Sequence, residues 1–188
     1  MYDKLICELK SICNFSDTDF ENILGYLEED FVAKGDHFLK EGEVSHYMGY
    51  IISGLTMHYK IHDGIEIPCD FTAEHEWTAY LKSFSGRTPA DMAIKALEDT
   101  HVLKLSVTNF QKLLQLYPSL MALKNYYTEL SFIQITQHTA DLAMLDAKQR
   151  YYKFMHEKPH LVNRLPQYYI AAYLGIKPQS LSRIRKEG

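Results

Sequence analysis

The chain has 188 residues, 46% of them apolar, and a formal net charge of −4. That composition excludes a disordered chain, and no apolar run approaches the ~20 residues of a membrane-spanning helix. The opening MYDKLICELK carries acids and lacks the apolar core of a signal peptide, and the cysteines are only Cys7, Cys13 and Cys69, so a reduced, cytoplasmic protein without a disulfide framework or a membrane partner is expected.

Residues 3–30 read as two short helices. Leu5, Leu9 and Ile12 share one face, and Ser16 with Asp19 three residues on forms a start signal for a helix over 17–27. From Phe31 to Leu105 short alternating runs at 47–52, 55–61, 65–71, 91–97 and 101–106 are separated by Gly-bearing turns. Even spacing of short strands argues for a β-sandwich or barrel, and Asp63-Gly64 between two such runs is a hairpin signal. A short helix then starts at Ser106 or Thr108 and runs to Leu116. Pro118 suits the first position of a further helix that continues without a breaker to about Asp141. Leu123, Tyr126, Leu130, Ile133, Gln137, Ala140 and Met144 form a coiled-coil-like stripe on it. Met121, Phe132, Ile135, Thr139 and Leu142 form a second stripe. Two apolar stripes require two neighbours: the β-domain and a second copy of the chain are one solution, burial within one monomer is another, and the sequence does not assign either stripe.

The last segment reads as helices over about 146–157, 167–174 and 178–187. Counting from Gln167, the apolar positions of a helix-turn-helix fall on Ile170, Leu174, Ile176, Leu181 and Ile184, the small crossing position on Ala171, and the turn on Gly175. Charge follows the same division. From Lys148 onward nine basic side chains face two acidic ones, whereas the preceding residues hold eleven against twenty-two. A basic end on an acidic body fits nucleic-acid contact, with a solvated basic surface as the plain alternative. With Leu181 and Ile184 inward, Gln179, Ser180, Ser182, Arg183 and Lys186 face outward from Pro178–Glu187. Gln179 and Arg183 are of the types that pair with adenine and guanine edges, while Lys177, Ser180, Arg185 and Lys186 suit phosphates.

The stretches KEGEVSHYMGYIISGL (40–55), IKALEDTHVLKLS (94–106), LLQLYPSLM (113–121) and IAAYLGIKPQSLSRI (170–184) resemble the Crp/Fnr superfamily of bacterial transcription regulators. The resemblance implies an α+β chain: an N-terminal β-roll of double-stranded β-helix (jelly-roll) type over 1–117, a long dimerisation helix over 118–143, and a helix-turn-helix domain over 144–188. It also implies a homodimer reading a near-palindromic DNA site, with an effector and RNA polymerase as further partners. An effector would act by shifting the long helix and the hinge near Asp141–Asp146.

The departures from the family are specific. The arginine that holds a cyclic phosphate falls on Ala90, beside Asp91, and no glycine precedes Glu76 in EHEWTAYL (74–81). Arg87 is the nearby substitute cation. Of the family's adenine-contacting hydroxyl pair, only Thr136 keeps its hydroxyl, the other position being Ile135. These residues argue against cAMP. Glu76, Trp77, Tyr80, Arg87, Tyr126 and Thr136 are the candidate lining of an effector pocket for another ligand, with ordinary core and dimer packing as the favoured alternative. Cys7, Cys13 and Cys69 lack the spacing of an iron–sulfur cluster, and no histidine is singled out for haem, so no cofactor is expected. Related domains often continue into a β-hairpin wing where this sequence stops at Gly188, which is either a natural end or the end of a piece of a longer chain. If the wing is missing, fewer phosphate contacts predict modest, salt-dependent binding. Two rival classes are a cupin-like metal enzyme built on His37, His46, His58 and His62, and a ligand-binding interaction module without DNA binding. The first lacks a His-x-His pair, and no enzyme is expected.

Overall fold

The computed structural model describes residues 2–187; the terminal Gly188, on which the question of a wing turns, lies outside them. The chain separates into two compact units. One runs as far as Lys60 and resumes over Asp70–Tyr127; the other comprises Ile61–Cys69 and the chain from Thr128 onward.

The first unit opens with helices α1 (Asp3–Cys13) and α2 (Asp17–Leu24). Ser16 Oγ accepts the Asp19 N–H at 3.2 Å while the Asp19 carboxylate accepts the Ser16 N–H at 3.0 Å, a reciprocal cap. The helix expected over 17–27 ends at Leu24, because strand β1 (Leu27–Val32) takes Leu27 into an antiparallel pair with Leu105. Seven more strands follow: β2 (His37–Leu39), β3 (Tyr47–Ser53), β4 (Thr56–His62), β5 (Ile65–Thr72), β6 (Trp77–Thr78), β7 (Ala93–Ala96) and β8 (Thr100–Ser106). They form two four-stranded sheets, β1-β8-β3-β6 and β2-β7-β4-β5. A short helix α3 (Leu81–Gly86) lies between β6 and β7. The runs read as strands coincide with β3, β4, β5, β7 and β8. Missing from that reading were β2 and β6, too short to show alternation, and β1, whose Glu-Glu-Asp run hides its register.

Alternation along β3 sets two cores. Ile51 packs between the sheets with Val32, Ala96 and Val102. Tyr50, on the opposite face, packs with α1, α2 and the helices that follow β8, through Leu5, Leu9, Phe20, Leu113, Leu120 and Leu123. Gly54 turns the chain from β3 to β4 at φ +106°, where a Cβ would lie 2.5 Å from Thr100 Oγ1, so no other residue fits unstrained. Asp63 and Gly64, both at positive φ, close the β4–β5 hairpin as their sequence predicts.

Helix α4 (Val107–Leu116) is capped by Ser106, whose Oγ accepts the Asn109 N–H at 3.1 Å. Helix α5 (Leu120–Met144) starts two residues beyond Pro118, which lies in the preceding turn rather than at the first helical position. The reason is local: the Leu120 N–H closes back on the Tyr117 carbonyl at 3.0 Å. The boundary between the two units falls within α5, after Tyr127.

In the second unit α6 (Ala147–Glu157), α7 (Gln167–Tyr173) and α8 (Pro178–Glu187) match the three helices read from sequence within a residue at each end. Asp146 caps α6 in a reciprocal box with Gln149. The core joins Tyr151, Phe154, Leu161 and Leu165 with Tyr169, Ile170, Ala171, Leu174, Leu181 and Ile184, all buried.

Candidate nucleic-acid interface and effector region

The helix-turn-helix is built by steric fit. Ala171 has no exposed surface and Leu181 has none, which fits a close crossing of α7 and α8 that a larger side chain at 171 would obstruct. Gly175 makes the turn at φ +63°. The Ile176 N–H bonds to the Ala171 carbonyl at 2.9 Å and the Gly175 N–H to the Ala172 carbonyl at 3.0 Å, closing the C-terminus of α7. Of the seven diagnostic positions, Ile170, Ala171, Leu174, Leu181 and Ile184 are buried, Ile176 is half-buried and Gly175 is exposed at the turn.

That inward face leaves the opposite side of α8 in solvent. Lys177, Gln179, Ser182, Arg183, Arg185 and Lys186 are exposed and Ser180 is half-buried. The arrangement offers amide and guanidinium donors beside cations on one protruding helix, which is the chemistry that base edges and phosphates require. Arg185 and Lys186 also sit in the last turn, where the helix dipole favours cations.

The segment joining α5 to α6 carries contacts that the sequence reading did not identify. Lys153 Nζ meets the Asp141 carboxylate at 2.6 Å. Arg150 Nη1 donates to the Leu145 carbonyl at 2.7 Å and the Leu142 carbonyl at 3.2 Å, satisfying acceptors that the end of α5 leaves open. The His138 ring stacks on Tyr173 of α7 with centroids 4.2 Å apart. Burial raises the Asp141 pKa, but the hydrogen bonds from Lys153 and Gln137 outweigh it and hold the carboxyl below its ordinary value. In this conformation the hinge expected at Asp141–Asp146 is bridged by an ion pair, a cap and a ring stack. Its only sequence trace is the pairing of acid and base types, which many surface positions share.

Of the six residues expected to line an effector pocket, Glu76, Trp77, Tyr80, Arg87 and Tyr126 belong to the first unit and Thr136 to the second. Trp77 packs on the helix side of its sheet, its ring 5.3 Å from that of Tyr50, not between the sheets. The Tyr80 hydroxyl bonds to Asp91, which Lys60 and Lys82 also contact at 3.0 and 3.4 Å. These partners hold the Asp91 carboxyl far below its ordinary value. Arg87 donates to the Ser45 carbonyl at 2.5 Å and to His46 at 2.9 Å. The Glu76 carboxylate accepts the Ala73 N–H at 2.8 Å. Tyr126 is half-exposed, and Thr136 is exposed on α5. Ala90, where the family's phosphate-holding arginine aligns, is buried with Leu39 and Ile94. These residues do not fit a cyclic phosphate. The expected cation position is an apolar methyl group, the adjacent Asp91 carboxylate is taken up by Tyr80, Lys60 and Lys82, and the Arg87 guanidinium is committed to Ser45 and His46.

Polar groups do converge elsewhere in this unit. His58 Nε2 lies 2.9 Å from Thr78 Oγ1 and 3.3 Å from Thr72 Oγ1, all three residues buried. Behind β3, the Tyr127 hydroxyl donates to Glu8 at 2.5 Å, and the buried Tyr50 hydroxyl and Trp77 Nε1 have no partner among the described residues. Burial, and secondarily the charge of Glu8, push the Tyr50 hydroxyl pKa well up.

Residues 29–117 match the family model of the cyclic nucleotide-binding domain. The chain resembles the c-di-GMP-responsive global regulator CLP of Xanthomonas campestris (TM-score 0.71, 17% identity, 92% of this chain and 91% of that one). It also resembles FixK2 of Bradyrhizobium japonicum (TM-score 0.76, 18% identity, 86% and 83%) and a CooA variant from Carboxydothermus hydrogenoformans (TM-score 0.72, 17% identity, 95% and 82%). No curated protein matches the chain by sequence. The chain has the fold of these solved structures. Among the described residues no helix is long and apolar enough to cross a membrane.

Proposed function

We propose that this chain is a homodimeric, sequence-specific DNA-binding transcription regulator of Crp/Fnr type, not driven by cAMP and not an enzyme. The observation that carries the reading is α8: Leu181 and Ile184 are buried while Gln179, Ser182, Arg183 and Lys186 stand in solvent on the other face. In this reading Gln179 and Arg183 read base edges, Lys177, Ser180, Arg185 and Lys186 fix the helix on the backbone, and Ser182 lies on the same DNA-facing side. The roll over 1–117 senses, the helix over 118–143 dimerises, and the domain over 144–188 binds DNA. A small-molecule effector other than a cyclic nucleotide, and RNA polymerase, complete the partner set.

Dimerisation is supported by α5. Phe132, Ile133 and Ile135 are 70%, 62% and 66% exposed, an apolar surface that a single chain leaves in water. A second copy covers it at little entropic cost, since the helix is already formed. A dimer places two copies of α8 on one duplex, and half-sites about 34 Å apart would then be read together. Selection of random duplexes on the purified protein, followed by mobility shift at two salt concentrations, tests this. An enriched palindrome whose affinity falls steeply with salt is expected. A stable dimer that enriches no sequence would instead make the chain an interaction module.

A further inference from the structure

We infer that Glu66, at the tip of the β4–β5 hairpin, is a positioning residue for the helix-turn-helix: its carboxylate accepts the Tyr169 hydroxyl and fixes α7, and through α7 the recognition helix α8. The inference rests on the reading of α8 as a DNA-contacting helix.

The hairpin is unusual in its allegiance. Its strands β4 and β5 belong to the second sheet of the roll, yet residues Ile61–Cys69 group with the C-terminal helices rather than with the roll. The tip is stiff, turning through Asp63 at φ 51° and Gly64 at φ 77°, so it projects a defined point rather than a loose loop. At that point stands Glu66, and behind it Pro68 is buried. Tyr169 is 5% exposed, on the first helix of the motif. Its ring lies 4.1 Å from that of Tyr168. A phenol at such a site needs an acceptor, and a carboxylate makes the stronger, charge-assisted bond. Because α7 and α8 share the core of Ile170, Ala171 and Leu181, a restraint on α7 is a restraint on α8. The outer face of α8 stays exposed while the contact is made. The hairpin therefore orients the DNA-binding face instead of covering it.

The test uses the full-length chain, a selected operator duplex and four variants. Tyr169→Phe removes the donor with no change in charge, Glu66→Ala removes the acceptor, Glu66→Gln keeps an acceptor oxygen, and Tyr169→Phe/Glu66→Ala removes both. Hydrogen exchange of the amides in 61–69 reports the contact, and operator affinity reports orientation. Tyr169→Phe and Glu66→Ala should each speed exchange in the hairpin and weaken operator binding about fivefold, the equilibrium share of one such bond, with the salt dependence unchanged. The double variant should be no worse than either single one, and Glu66→Gln should recover most of the affinity. Exchange unchanged in Tyr169→Phe, or affinity unchanged despite faster exchange, overturns the inference. A wild type that selects no DNA overturns the regulator reading and with it the positioning role, while hairpin exchange still decides whether the contact itself exists.

Discussion

Gly175→Ala tests the turn on which the DNA-binding face depends. Gly175 sits at φ +63°, where an L side chain costs about 1–2 kcal/mol. An added Cβ also meets Leu142 Cδ2 at 3.3 Å, so the end of α5 must give by a few tenths of an ångström. Against this, alanine stiffens the unfolded chain by about 0.4–1 kcal/mol. The strain exceeds that gain, and a net loss of about 1 kcal/mol is expected, a few degrees in the unfolding temperature. Asparagine tolerates the left-handed region better, so Gly175→Asn should lose less. Scanning calorimetry on the three proteins gives the ranking, and operator affinity should follow it, because the turn sets how α8 is aimed. If alanine is as stable as glycine, or asparagine costs as much as alanine, the turn does not carry the strain assigned to it.

Arg183→Ala should weaken operator binding by ~1–3 kcal/mol and relax preference at one base position in a duplex selection; uniform loss across all sequences would make it a phosphate contact. Tyr50→Phe deletes a buried hydroxyl with no protein partner and should leave stability unchanged or raise it by about 1 kcal/mol by denaturant unfolding. A loss of that size would mean the hydroxyl is satisfied by something outside the chain. Phe132→Asp or Ile133→Asp should shift the dimer to monomer in sedimentation, weakening association by about an order of magnitude or more, because a charge would enter the seam. Asp141 has its pKa depressed in the folded state, so it stabilises fully above the unfolded carboxylate pKa and progressively less as pH falls through that range towards the folded value. Asp141→Asn should flatten that acid limb of the C-terminal unfolding transition, whereas an unchanged limb would show that the Lys153 pair contributes nothing.

Legibility differed between the two ends of the chain for physical reasons. The helix-turn-helix was readable because its constraints are local and strict. A small residue at Ala171, a positive φ at Gly175 and apolar residues at Ile170, Leu174, Leu181 and Ile184 all lie within fifteen residues. The roll was readable as a set of strands wherever alternation had room to show, as in β3 and β4. It was not readable where two or three residues pair only because a distant strand offers them partners, as Trp77–Thr78 do against Gly49 and Tyr50.

What the sequence determined by itself was the kind and order of most elements, though not of β1, β2 or β6, together with the inward and outward faces of α8 and the absence of a cation at Ala90. These depend on residue type and spacing along one segment. Tertiary structure decided where Trp77, Tyr80 and Arg87 point, that Lys153 and Arg150 weld the end of α5, and that Glu66 meets Tyr169. Each of those is a contact between different segments, five residues apart in the chain for Arg150 and Leu145 and 103 for Glu66 and Tyr169, and a hydrogen bond acts only over about 3 Å. Its existence therefore depends on the relative placement of whole elements, which residue spacing along a segment does not specify.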